Sequence, residues 1–266
     1  MPKFTLDDFR KDLSPKYKLV PKLDKAIAGF DEEWDFHYEP KVHDLYWHPS
    51  GHCMPKVSAL YDLALERLND GVNEEHERSM RKYGPVGHFW HQFLQHIMVR
   101  YDMVPQNAIE RRGTKGWALL YRECTQNCVG GHGEDCAAWA NDGYKPWNAC
   151  TGSADVAPWN HKGHDYIVDF KTMGSRSFQR PNLPEGFAEK YTCQMNIYMD
   201  FFNYERALIV AINKDTPHDF KEFEFRRDDK LVEAIYAKWK FVAECIEAGE
   251  RPDTDDDEHF ALPEIV

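Results

Sequence analysis

The chain has 266 residues, which suits one domain with insertions or two small ones and allows a sizeable buried core. A net charge of -12 argues against a simple basic nucleic-acid binder, and no apolar run is long enough to span a bilayer. The opening MPKFTLDDFRKDL lacks the apolar centre of a secretory signal, so a soluble, intracellular protein is expected.

The charge is uneven. From Glu247 to Val266 the tail carries Glu247, Glu250, Asp253, Asp255, Asp256, Asp257, Glu258 and Glu264 against Arg251 alone, and is expected to be a solvated acidic end. Arg78 to Arg122 is basic instead, with Arg78, Arg81, Lys82, Arg100, Arg111, Arg112, Lys115 and Arg122 against Asp102 and Glu110, a surface compatible with a polyanion.

In chain order, Ser50 to Asp70 has apolar residues at helical spacing, and Glu74 to Tyr101 is a second helical region. Pro85 suits the first turn of a new helix, so the second region is expected to break at Gly84-Pro85. Residues 1–105 thus read as a mainly helical N-terminal part. A strand is expected over Gly113 to Glu123, then an irregular insert over 123–150, rich in Gly, Cys, Asn and Asp.

The region 150–249 opens with two strands, Cys150 to Ala157 and Asp165 to Thr172, joined by the polar turn PWNHKGH. A loop follows from Gly174 to Gly186, then a helix over Phe187 to Asn203. Ala207 to Ile212 is a fully apolar strand and Phe220 to Arg226 a half-buried one. Lys230 to Ala248 is an amphipathic helix with Leu231, Ile235, Trp239, Val242 and Ile246 on one stripe and Gly249 past its end. This order predicts an α/β (α+β) fold, a mixed central sheet flanked by helices, followed by an acidic tail over 250–266.

Within DYIVDFKT, Asp169 and Lys171 are two apart on a strand and so share a face. A carboxylate and an ammonium together in a buried strand are costly unless they pair or bind something. The D-x-K pattern itself is cheap, recurring at Asp219-Phe220-Lys221 and Asp228-Asp229-Lys230, so the surroundings must distinguish this copy. If the two strands pair as a hairpin, Asp155 converges on Asp169. Two carboxylates suit a hard cation such as Mg²⁺, with Lys171 placed to orient or deprotonate a water or to stabilise phosphoryl charge. Gln194 and Tyr198 lie four apart on one helical face, and His91 lies four after Gly87. His91 could add an imidazole ligand, although Gly84 and His88 satisfy the same spacing.

In the order Gly87/His91, Gly152/Asp155, Asp169-Phe170-Lys171-Thr172, Gln194/Tyr198, the sequence resembles the RecB-like branch of the PD-(D/E)XK nuclease superfamily, which includes CRISPR-associated and phage recombination exonucleases. HPSGHCMPKVSALY is similar to that family's Ser-then-Cys-Pro-Lys opening, and the middle acid is Asp where many relatives carry Glu. The resemblance implies a restriction-endonuclease-like core and metal-dependent hydrolysis of DNA by an exonuclease in recombination, repair or replication. It implies His91, Asp155, Asp169 and the Phe170 carbonyl as ligands of Mg²⁺ or Mn²⁺, Lys171 as the catalytic lysine, and Gln194 and Tyr198 holding DNA or the lysine. It also implies single-stranded DNA or duplex ends as substrate, a single-strand annealing or recombination partner, and the cytoplasm of a bacterial or phage-infected cell. An accessory DNA-binding protein of weak activity, an endonuclease on the same fold and a zinc-stabilised interaction protein are the alternatives.

Seven cysteines, an odd count in a chain expected to be intracellular, argue against a disulfide framework. Cys124, Cys128, His132 and Cys136 suit tetrahedral Zn²⁺, which would rigidify a loop without a core. An iron-sulfur cluster built from Cys53 with Cys124, Cys128 and Cys136 is the second reading, and metal-free thiols the third.

Overall fold

A computed structural model describes residues 17–30, 36, 47–70, 74–116, 147, 149–179, 185–216 and 219–263. Among the described residues four α-helices come first, α1 (Val20–Ala28), α2 (Pro49–His52), α3 (Val57–Asp70) and α4 (Glu74–Arg100). Strands β1 (Ile109–Gly116), β2 (Ala149–His161) and β3 (His164–Met173) follow, then α5 (Ser175–Phe178), α6 (Glu185–Phe202), β4 (Arg206–Asn213), β5 (Phe220–Arg226), α7 (Asp229–Ala248) and α8 (Thr254–His259). The strands form one mixed sheet whose spatial order is the chain order. Every neighbouring pair is antiparallel except β3 and β4, which are parallel and joined through α5 and α6.

The apolar run of β4 is explained by burial on both faces. Leu208, Val210 and Ile212 join Val168 and Phe170 of β3 in a core closed by Leu23 of α1 and by Leu94, Ile97 and Met98 of α4. Ala207 and Ile209 join Ile167 of β3 under Met195, Tyr198 and Met199 of α6. Asp169 and Lys171 alternate with Val168 and Phe170, which puts them on the α6 side of the sheet. A second apolar group behind α6 holds Val57 and Leu60 of α3, Ile197 of α6, and Leu231, Ile235, Trp239 and Val242 of α7. That is the expected α7 stripe, and Gly249 ends the helix at φ 70, a conformation that favours glycine.

Four local expectations need correction. α4 runs unbroken from Glu74 to Arg100 with Pro85 inside it. Burial of Leu94, Ile97 and Met98, worth about 1.5–3 kcal/mol each, outweighs the hydrogen bond that proline removes. β2 continues through Pro158 to His161, so most of the expected turn is strand. A register shift between Val156 and Trp159 accommodates the proline, and the true turn is Lys162-Gly163, both at positive φ. The strand expected over Gly113 to Glu123 begins earlier, at Ile109, while residues 117–123 lie outside the described ones. Ser175–Phe178 of the expected loop forms a helical turn, and Gly186 already belongs to α6.

The tail is also more structured than its composition suggests. Asp257 accepts hydrogen bonds from the Ser58 backbone N–H (3.0 Å) and hydroxyl (2.8 Å) at the start of α3. Arg251 grips Asp62 through two bonds of 2.9 and 2.7 Å, and Phe260 stacks on Phe241 at 4.4 Å. Glu222 of β5 does the same service for α1, accepting from the N–H groups of Lys18, Leu19 and Val20 at 2.8, 2.7 and 3.1 Å. Each carboxylate satisfies helix-start donors that would otherwise lack partners.

The Asp257 carboxyl is held below the ordinary aspartate range; its partial burial opposes ionisation, but the Ser58 bonds and the Lys56 ammonium outweigh that. Its folded pKa is therefore depressed, so the stabilisation is present above the unfolded pKa and is lost as pH falls through the folded one. Asp257→Ala is expected to cost about 1 kcal/mol at neutral pH, the typical value of a lost helix cap. The gap to wild type should close below about pH 4, as read by urea denaturation across pH.

Candidate active site at a fork in the sheet

The sheet divides in its middle. β2 pairs with β1 from Ala149 to Val156, but with β3 only from Val156 to His161. β3 pairs with β4 from Ile167 to Met173. Beyond the Val156–Val168 rung, the first half of β2 therefore follows β1 and the second half of β3 follows β4. Asp155 stands at the crotch of this fork. Its Oδ2 accepts the Phe170 N–H at 2.6 Å, a donor that faces the departing strand. Its backbone carbonyl accepts from Gln95 Nε2 at 3.2 Å. Side chains thus replace ladder bonds where the strands part, as buried backbone groups require.

From that point a chain of polar contacts crosses the fork. Oδ1 of Asp155 lies 3.0 Å from His91 Nδ1 on α4, leaving Nε2 as the ring nitrogen not turned to Asp155. Asp169, one residue before Phe170, forms an ion pair through Oδ2 with Lys171 Nζ, although that oxygen accepts no well-directed hydrogen bond. Asp155 and Asp169 are buried, while His91 and Lys171 are partly open to solvent.

Two glycines let the helices approach. A Cβ on Gly152 would stand 2.7 Å from the Tyr198 ring and 3.2 Å from Pro49, so α6 and α2 rest directly on the β2 backbone. A Cβ on Gly87 would meet the Thr172 hydroxyl at 3.4 Å, so α4 crosses close to β3 one turn before His91. The glycines of G-x-x-D and G-x-x-x-H are therefore the contact points that bring α6 and α4 to the two carboxylates.

The charges are interdependent. Burial pushes the Asp169 carboxyl up; Lys171 opposes this and Asp155 adds to it, with the result at about 6. Asp155 is held low: burial works against its charge but is outweighed by His91, Lys171 and the Phe170 N–H. His91 is shifted up because Asp155 outweighs the effect of its burial. Lys171 is likewise shifted up, since Asp169 and Asp155 outweigh burial. Two buried carboxylates beside the Lys171 ammonium are a donor set that could hold a hard divalent cation. Among the described residues no three His, Cys, Asp or Glu side chains gather closely enough to form a metal cage of their own. Oxygen from two carboxylates, completed by water and substrate, is the mode by which Mg²⁺ is commonly held.

Gln194 Nε2 donates to the Tyr198 hydroxyl at 3.1 Å, both residues are buried, and among the described residues the Gln194 Oε1 has no hydrogen-bond partner. Asp169 is among the charges acting on the Tyr198 hydroxyl, which burial drives well above its ordinary range. Gln95 was not expected from sequence; it lies four residues after His91, one turn along the same helix face. Tyr191 was not expected either, and its spacing of three and seven from Gln194 and Tyr198 is the pattern that points to it.

The other two D-x-K copies have structural duties. Asp228 is the N-cap of α7, accepting from Lys230 and Leu231 N–H. Asp219 accepts from Asn213, and Lys221 donates to the Phe178 carbonyl. Cys124, Cys128, His132 and Cys136 lie outside the described residues. The Cys53 thiol is buried, donates to the Pro49 carbonyl at 3.1 Å, and is pushed well up, first by burial and then by Cys193.

No family model and no curated protein matches the chain. Among solved structures, SSO0001 is similar at 15% identity over 87% of this chain and 84% of that one, with a TM-score of 0.43. A phage-related exonuclease from Haemophilus somnus 129PT is similar at 17% identity over 38% of this chain and 58% of its own, with a TM-score of 0.31. The alkaline exonuclease LHK-Exo from Laribacter hongkongensis is similar at 16% identity over 38% and 50%, with a TM-score of 0.30. At these scores a likeness establishes neither a shared fold nor a shared activity.

Gly152→Ala is expected to destabilise the chain by about 1–3 kcal/mol, the usual cost of overpacking a filled site. Serine, slightly larger, should cost at least as much. Chemical denaturation measures both, and a neutral Gly152→Ala would contradict the close approach of Tyr198.

Proposed function

We propose that the chain is a metal-dependent DNA nuclease on a restriction-endonuclease-like core, and that it acts on linear DNA from its ends. One observation carries the reading: Asp155, Asp169 and Lys171 meet at the fork in the sheet, two buried carboxylates facing one ammonium, with His91 set behind Asp155. Buried charge of this density is costly as architecture alone, and perturbed ionisation concentrated at one spot is what catalytic sites need.

Asp155 and Asp169 would hold a Mg²⁺ or Mn²⁺ ion, with the Phe170 carbonyl, water and substrate completing its oxygen set, and His91 would steady Asp155 beside it. When bound, such an ion lowers the pKa of a water and draws charge from a phosphoryl oxygen. The chain's own groups do the rest. His91 and the Phe170 N–H fix the Asp155 carboxylate from two sides. Lys171, held against Asp169, would offer its ammonium to the phosphoryl oxygens and orient the attacking water. Gln194 and Tyr198, bonded to each other, close the α6 wall of the site.

In the accessory DNA-binding alternative nothing would require Lys171 to sit beside Asp169. Among the described residues no helix is long and apolar enough to cross a membrane.

Wild-type protein is expected to degrade end-labelled linear DNA with Mg²⁺ or Mn²⁺ and to spare a closed circle. Lys171→Ala should reduce the rate by at least about a hundredfold while circular dichroism shows an unchanged fold. Cutting of the circle would make the enzyme an endonuclease. No metal-dependent cleavage on any substrate would remove the enzymatic reading.

A further inference from the structure

One side chain stands against the Asp169–Lys171 pair without a role so far. Tyr191 presents its ring to Lys171, with Nζ 5.5 Å from the ring centre. That is within the distance at which an ammonium is attracted by an aromatic face. The ring packs against the apolar group that includes Ala154, Ala157, Ile167, Met195 and Met199, so the sheet and the body of α6 fix its position. Tyr191, Gln194 and Tyr198 lie three and four residues apart on α6 and form one stripe facing the site. The electrostatics agree with the geometry: ionisation of the Tyr191 hydroxyl is suppressed first by burial, opposed by Lys171 and reinforced by Asp169.

Lysine is a poor fixed reagent by itself. Its four-carbon stem has many rotamers, and the Lys171 side chain is 18% exposed, so water lies within its reach. Asp169 attracts the ammonium from one side only. We propose that Tyr191 is a positioning residue whose ring face forms the second side, holding the Lys171 ammonium in register with Asp169. The inference rests on the nuclease reading for its kinetic consequence and on the contact geometry for its physical one. The ring is the required part and the hydroxyl is not, so phenylalanine should replace tyrosine and an aliphatic residue should not.

Two measurements test this on the full chain. In metal-dependent cleavage of linear DNA, Tyr191→Phe is expected to stay within about twofold of wild type. Tyr191→Leu should lower kcat about tenfold or more with KM little changed, because a displaced reacting group costs rate rather than binding. In ¹⁵N-edited NMR of lysine ammonium groups, Lys171 should give a signal displaced by the tyrosine ring current, assigned by its loss in Lys171→Arg. Tyr191→Phe should keep the signal and Tyr191→Leu should return it to the shift of solvated lysines. A wild-type Lys171 signal without ring displacement overturns the proposal, as does a Tyr191→Leu variant that keeps both signal and kcat. A Tyr191→Phe variant as slow as Tyr191→Leu also overturns it, since the hydroxyl would then be the working group. If the wild type cleaves no DNA, the nuclease reading falls, and the ammonium signal alone decides whether Tyr191 holds Lys171.

Discussion

The structure turns on the Asp155 carboxylate, which takes the Phe170 N–H at the place where β2 and β3 separate. A sheet cannot open in its interior without leaving donors and acceptors unpaired, and each such group costs about 1–3 kcal/mol when buried. Asp155 answers one and Gln95 another. The same carboxylate is then the acceptor for His91. Opening the sheet and building the polar centre are one event: the fork makes the space, and the side chains that make the fork tolerable are those that face into it.

The helices on either side follow from this. α4 brings Gln95 and His91 to Asp155 from one layer, with Gly87 resting near Thr172. α6 brings Tyr198 onto Gly152 and Phe201 onto Gly113 from the other, and the two glycines face each other across β1 and β2. Removing two Cβ atoms from adjacent strands makes a shallow trough in the sheet, into which the aromatic side chains of α6 settle. Asp200, farther along α6, accepts from Lys115 of β1 at 2.7 Å, from Arg227 at 2.9 Å and from Tyr236 of α7 at 2.9 Å, tying the edge strand to the outer helix. The helix that walls the site is therefore anchored at both the trough and its C-terminal end.

The mixed sheet and its order of strands and helices were legible because the short apolar run of β4, the alternation of β5 and the helical stripe of α7 are strong patterns. The placement of Asp169 and Lys171 on one face followed from the strand period. Pro85 misled because local propensity was weighed without the core that half of α4 fills. The turn after Ala157 misled because a polar run containing proline reads as a loop unless the buried Trp159 and the register shift beside it are known. Gln95 and Tyr191 were invisible as single letters. Their helical spacing from Gln194 and Tyr198, and from His91, puts them on the same faces, but what they meet across the fold shows only in the structure. Docking of the tail was hidden for a similar reason, since its acidic composition describes a solvated end unless the uncapped start of α3 is in view.

That docking has a consequence in time. Ser58 and its cap at Asp257 are 199 residues apart in sequence, and α1 waits for Glu222 across a span of about the same length. As the chain is made, both helices emerge about 200 residues before the carboxylates that receive their first N–H groups. Their early helicity depends on propensity alone, and each becomes a lasting element only when distant carboxylates arrive. Locking of these two helices is thus non-local, set by contacts about 200 residues apart along the chain.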